Sequence, residues 1–273
     1  MSALITMALA AMMLLGASAS TVTVTKGSAP TPASPSWPAG AHRVPSVGGL
    51  APSSDPNGTA YDYVNGYVET SASGASVMLP QSQPRLAANA GHSLIELAVE
   101  SASGQQIVEV GWIVGEDGGT LPKLFVFHWK DGNPTCYDGC GFVSLRNAIK
   151  PGAVVTRRQS QEYGIRFSDR RWWVSYENKR IGYFPASLWS GRYTKAGLIQ
   201  TFGEVNATTN ATCTQMGNGQ FGSSRRSDEI RDFRLKGATG PTHLMFTPPT
   251  LPDGWNFARV SETAFRLGGP GIC

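Results

Sequence analysis

The 273-residue chain predicts an all-β protein, an antiparallel two-sheet β-sandwich of jelly-roll-like form with minimal helix. Three observations lead there. Glycine (32) and proline (18) are plentiful and charged residues make up only 15%, a mix that suits many short strands joined by turns. Apolar and polar residues alternate over short runs, the period of a half-buried strand. Turn-forming clusters such as Ser101-Ala102-Ser103-Gly104 and Asp131-Gly132-Asn133-Pro134 separate those runs.

Residues 1–19 have the build of a signal peptide: an apolar, uncharged run over 3–15, then the small-residue cleavage pattern Ala17-Ser18-Ala19. The run is too short for a membrane span. A secreted, extracellular protein with no stable membrane association after cleavage is therefore expected. Residues 20–60 are rich in Pro, Ser, Gly and Ala without a hydrophobic period, and read as a linker or short pro-segment. Residues 61–273 show no repeat and no composition break, so one β-sandwich domain is expected there. Within it, strands are expected at 93–100, 106–114, 123–129, 163–167, 172–176, 180–184, 198–205, 230–235 and near Phe265. A hairpin is expected about Asn178-Lys179, and a single helical turn at 186–189.

Secretion makes the four cysteines readable as two disulfides, with three pairings open. Cys136 and Cys140 are so close that a local loop is natural, which leaves Cys213 for Cys273. The longer bridge would stabilise by roughly 4 kcal/mol in the chain-entropy picture. A zinc site lacks nearby histidines at ligand spacing, so no metal and no cofactor is expected. The formal charge of +4 is mild, and Arg157-Arg158, Arg170-Arg171 and Arg225-Arg226 are isolated doublets. That pattern argues against a nucleic-acid partner; a monomer is expected.

Two acidic residues stand out on the strands. Alternation puts Val108, Val110, Trp112 and Val114 on one face and Glu109 on the other, beside Ile107 and Gly111. The missing side chain at Gly111 leaves room for another backbone or a ligand. Glu204 has the same character in Phe202-Gly203-Glu204-Val205. There is no Gly-x-Ser-x-Gly elbow, no His-Glu-x-x-His, no phosphate loop, and no Asp-Thr-Gly or Asp-Ser-Gly triplet. His128 alternates with Phe127 and Trp129 and reads as structural.

An ordered set of segments resembles the neprosin family of secreted glutamic peptidases. It comprises Gln106-Ile107-Val108-Glu109-Val110-Gly111-Trp112, then Phe125-Val126-Phe127-His128-Trp129 with the loop Cys136-Tyr137-Asp138-Gly139-Cys140-Gly141-Phe142-Val143. Trp172-Trp173, Ile181-Gly182-Tyr183-Phe184-Pro185, Phe202-Gly203-Glu204-Val205 and Thr214-Gln215-Met216-Gly217-Asn218-Gly219 follow in order. The resemblance implies an antiparallel β-sandwich with two catalytic glutamates in a cleft, which by position fall on Glu109 and Glu204. It also implies cleavage of proteins or peptides beside proline, in acid, with residues 61–273 as the catalytic domain. The family's usual Trp-Gly-Gly-Glu reads Thr201-Phe202-Gly203-Glu204 here, and the stretch Gly115-Glu116-Asp117-Gly118-Gly119 also departs from its pattern. No folded activation peptide is recognisable in 20–60.

Two such carboxylates would hydrolyse an amide by sharing one proton about a bound water. At about 4 Å they repel by roughly 4 kcal/mol at an effective dielectric of 20, which ties the singly protonated pair to acid. The reading requires Glu109 and Glu204 to lie close together. Gln215 is a candidate donor to the oxyanion, and Trp129 and Tyr137 are candidate walls of an apolar groove. The rival readings are a non-catalytic glycan- or peptide-binding sandwich and a glycoside hydrolase, which also works with two carboxylates. A sandwich alone does not separate them; the ordered motifs favour the peptidase.

Overall fold

A computed structural model describes residues 60–88, 90–208, 212–238, 242–249 and 251–273. The expected signal peptide and nearly all of the expected linker lie outside the described residues. The strands are β1 (Ala60–Ala72), β2 (Gly74–Gln81), β3 (Ala90–Glu100), β4 (Ile107–Val114), β5 (Lys123–Lys130), β6 (Asn133–Pro134) and β7 (Val143–Ser144). Next come β8 (Gln159–Ser168), β9 (Arg171–Tyr176), β10 (Lys179–Pro185) and one 3-10 turn (Ala186–Trp189). β11 (Ala196–Ala207), β12 (Asp228–Lys236), β13 (Met245–Thr247), β14 (Asn256–Ser261) and β15 (Ala264–Gly268) complete the order.

They form two antiparallel sheets, ordered β13-β1-β11-β3-β4-β5-β6 and β14-β15-β12-β2-β8-β9-β10-β7. This is the expected two-sheet sandwich. Directly opposed residues of antiparallel strands share a face. The register therefore lines up Val99 with Val108, Leu97 with Val110 and Val126, and Ile95 with Trp112 and Leu124. Those side chains pack with Val77, Leu79, Tyr163, Ile165, Trp172 and Val174 of the second sheet to make the core. Trp112 points inward as its alternation predicts, and its Nε1 donates to the carbonyl of Pro80 in the opposite sheet at 2.6 Å. The Tyr193 hydroxyl, buried in the same layer, donates to the Val99 carbonyl at 2.6 Å.

Local chemistry explains the tight turns. Asp169 (φ 52°) and Arg170 (φ 58°) join β8 to β9, and Glu177 (φ 52°) and Asn178 (φ 59°) join β9 to β10. Two successive positive φ values give the turn whose twist matches the flanking strands. The hairpin thus centres one residue earlier than expected, because Lys179 already belongs to β10. β1 was not anticipated as a long strand. Both of its faces are largely buried, and Asp62, Asn65 and Gly66 break the alternation that a half-buried strand would show. No helix among the described residues is long and apolar enough to cross a membrane.

Both expected disulfides are present, Cys136–Cys140 and Cys213–Cys273, with sequence separations of 4 and 60. Replacing Cys213 and Cys273 together by serine should lower unfolding stability by about 4 kcal/mol, and the shorter bridge should contribute about half that. Denaturant titration of both double variants checks the ranking.

Candidate active site

The second face of the seven-stranded sheet carries the carboxylates. One row across it sets Tyr67, Gln200, Ala98, Glu109 and Phe127 side by side. The next row holds Leu198, Glu100, Ile107 and Trp129, and the row on the other side holds Asn65, Phe202, Glu96, Gly111 and Phe125. Glu96, Glu100, Glu109 and Gln200 are all buried. Gln200 and Glu109 stand two strand spacings apart, roughly 10 Å between backbones. Only the methyl group of Ala98 lies between them in the row, and all three residues are buried.

Hydrogen bonds tie this group together. Trp129 Nε1 donates to Glu109 Oε1 at 2.9 Å. Gln200 Nε2 donates to Glu100 Oε1 at 2.6 Å, and Asn65 Nδ2 donates to Gln200 Oε1 at 2.9 Å. Burial pushes the Glu100 carboxyl up to about 8; the Gln200 bond opposes that shift and the neighbouring Glu109 charge adds to it. The room expected at Gly111 is taken by β3 itself. A Cβ there would meet the Ile95 carbonyl oxygen at 2.3 Å and Glu96 Cβ at 2.6 Å, so the glycine admits a neighbouring strand rather than a ligand.

Glu204 is on the same face but not in the same place. Its register partner on β3 is Leu94, whereas that of Glu109 is Ala98. Four residues along a strand and two strands across separate the two backbones by roughly 16 Å, too far for the carboxylates to share one water. The expected Glu109/Glu204 pair is corrected accordingly. Glu204 instead lies against His92, Oε1 to Nε2 2.5 Å, with both side chains buried. The glycine beside it serves the core: a Cβ on Gly203 would meet Leu267 Cδ1 at 2.5 Å and Met216 Sδ at 2.9 Å.

The other candidates divide. Trp129 stands in the site through its bond to Glu109. Tyr137, held in the Cys136–Cys140 loop, packs its ring 4.9 Å from Phe127 and 5.7 Å from Phe125, and so covers β5 on the site face. Gln215, the expected oxyanion donor, is held by its backbone and its amide oxygen. Its backbone N–H donates to the Arg85 carbonyl and its Oε1 accepts from the Arg85 N–H, both at 2.9 Å, which makes it a brace between two loops. His128 sits on the core face opposite Val108, and burial pulls its pKa down to about 4, in keeping with the structural reading. Among the described residues no group of three or more His, Cys, Asp or Glu side chains could hold a metal ion.

Glu100, Gln200, Glu96 and Asn65 were not singled out from the sequence. A signal for Glu100 existed: Glu96, Ala98 and Glu100 alternate onto one face of a strand whose hairpin partner carries Glu109.

Comparison with known proteins agrees with this architecture. A model of the neprosin family matches residues 89–236, which takes in β3 through β12 and the Gln200–Ala98–Glu109 row. Scytalido-glutamic peptidase, solved with a transition state analog inhibitor, shares 10% identity at a TM-score of 0.50, over 77% of this chain and 98% of its own. SCP-B, a member of the eqolisin family of peptidases in complex with the tripeptide Ala-Ile-His, also shares 10% identity over 77% and 98%, at a TM-score of 0.44. At such identity the first likeness speaks for the fold alone. The chain belongs to the neprosin family and is thereby a hydrolase of the glutamic-peptidase type.

Burial raises several carboxyls besides Glu100: Glu116 to about 8, Asp62 to about 7, and Asp138 and Asp228 to about 6. Each holds its proton more tightly folded than unfolded. Its contribution to stability is complete below the ordinary carboxyl range and is lost as pH rises toward the folded value. His128 acts oppositely, losing its contribution as pH falls from 6.5 to about 4. Between pH 5 and 8 the five raised carboxyls act against His128 alone, since the lowered Asp117 loses its contribution only below the ordinary carboxyl range. The melting temperature should be at least roughly 4 °C higher at pH 5 than at pH 8; a Tm that rises toward pH 8 would show these carboxyls are ionised in the fold.

Proposed function

We propose that the chain is a secreted, acid-acting glutamic endopeptidase that cuts proteins or peptides beside proline, with Glu109 activating the water and Gln200 stabilising the oxyanion. The observation that carries this reading is the buried row Gln200–Ala98–Glu109, with a carboxylate and an amide on either side of the Ala98 methyl group. Ionised Glu109 takes a proton from a water as that water attacks the scissile carbonyl, and the Trp129 bond holds the carboxylate in place. The carbonyl oxygen gains charge and accepts a hydrogen bond from Gln200 Nε2. Glu109 then returns the proton to the leaving nitrogen, so one carboxylate serves both halves of the reaction.

The proline preference is supported by the aromatic lining beside Glu109. Phe125, Phe127 and Tyr137 pack into an apolar cluster next to the part-exposed Trp129, whose ring would suit a flat pyrrolidine. Secretion is supported by the apolar run at 3–15 and by two disulfides, which persist in oxidising compartments. Residues 61–273 then form the catalytic domain behind a signal peptide and a linker.

Cleavage of an unfolded, proline-containing protein should be measured from pH 3 to 8 for the wild type and three variants. Glu109→Gln should lower kcat by about 1,000-fold or more, and Gln200→Ala by about 100- to 1,000-fold. Glu204→Gln should lower kcat less than about 10-fold and act on the melting temperature instead, through its buried contact with His92. Cleavage that survives Glu109→Gln contradicts the reading. So does a Glu204→Gln variant that melts normally yet is as inactive as Glu109→Gln. Mapped cut sites should have proline on one side of the broken bond.

A further inference from the structure

A glutamine stabilises an oxyanion only if its amide faces the right way round, since one end donates and the other accepts. Three strands decide that orientation here. Asn65 of β1 donates to Gln200 Oε1 at 2.9 Å, and Glu100 of β3 accepts from Gln200 Nε2 at 2.6 Å, with all three side chains buried. Turning the amide over would set Nε2 against the Asn65 donor, losing that bond, and would leave Oε1 only the carboxyl proton of Glu100 to accept, in a site with little water to replace the loss. Glu100 stands in the row next to Gln200 and Glu109 rather than in it, on the side of the β3–β4 turn. It therefore holds Gln200 from outside the row along which a substrate carbonyl would lie.

We propose that Glu100 is a positioning residue for the peptidase reaction: together with Asn65 it fixes the Gln200 amide so that one Nε2 proton goes to Glu100 and the second meets the developing oxyanion. This rests on the reading of Gln200 as the oxyanion donor. Glu100 needs to supply an acceptor oxygen for this role and no charge. A glutamine in its place keeps that oxygen, and an alanine removes it.

The test is steady-state cleavage of a proline-containing peptide by the full chain, with melting temperatures measured alongside. Glu100→Ala should lower kcat by about 10- to 100-fold with KM changed less than about 3-fold, because alignment in the transition state is what is lost. Glu100→Gln should keep at least about a third of wild-type kcat, and Asn65→Ala should reproduce much of the loss. The double variant Glu100→Ala/Gln200→Ala should be no slower than Gln200→Ala alone, since Glu100 works only through that amide. An unchanged kcat in Glu100→Ala overturns the proposal. A normally folded Glu100→Gln as slow as Glu100→Ala also overturns it, because the carboxyl would then act on a proton itself. If Glu100→Ala fails to fold, the same cycle is run with Asn65→Ala and Gln200→Ala, and multiplicative losses there count against it. A fully active Gln200→Ala sinks the parent reading, whereas an inactive Gln200→Ala beside an unaffected Glu100→Ala sinks only this one.

Discussion

The site depends on the hydrogen-bond register of β11 against β3 and of β3 against β4. A slip of one residue in either ladder would turn every side chain of the moving strand to the opposite face. The core face resists that slip, because Val108, Val110, Trp112 and Val114 on β4 must meet Val99, Leu97 and Ile95 on β3 and the second sheet beyond. The same ladder fixes the polar face as a by-product. With the valines and Trp112 inward, Glu109 can only stand beside Ala98 and, one strand further, Gln200. Packing of one face therefore sets the geometry of the polar side chains on the other.

That second face gathers Glu96, Glu100, Glu109 and Glu204, all buried. Carrying several ionised carboxylates out of water is costly, and protonation relieves the cost. Glu100 is the clear case, with its carboxyl held up to about 8 by burial and by the nearby Glu109. Acid thus favours the folded chain and leaves Glu100 neutral beside Glu109, the proposed base. The same burial would link the stability of the sandwich to the acid proposed for its chemistry.

Much of the fold was legible in the sequence because it rests on local patterns. Alternation located β3, β4, β5 and the β9–β10 hairpin, cysteine spacing pointed to both disulfides, and the period of β4 sent Trp112 inward and Glu109 outward. The pairing of strands far apart in the chain was not legible. A motif locates Glu204 along β11, but only the ladder with β3 reveals that it stands opposite Leu94, four residues away from the row of Glu109. Gln200 was hidden because an uncharged amide in a strand attracts no notice until its neighbours are known. Gly111 and Gly203 left two readings open for a related reason, a neighbouring part of the chain or a ligand. Both lack a side chain to let another part of the same fold approach, β3 in one case and Met216 with Leu267 in the other.

The most direct measurement is a crystal structure of the protein with a peptide carrying a tetrahedral transition-state mimic in place of the scissile bond. The mimic's two oxygens should lie within hydrogen-bond distance of the Glu109 carboxylate and Gln200 Nε2, with Glu204 still against His92. A mimic centred on Glu204, or one that leaves Gln200 without contact, would contradict the proposed roles.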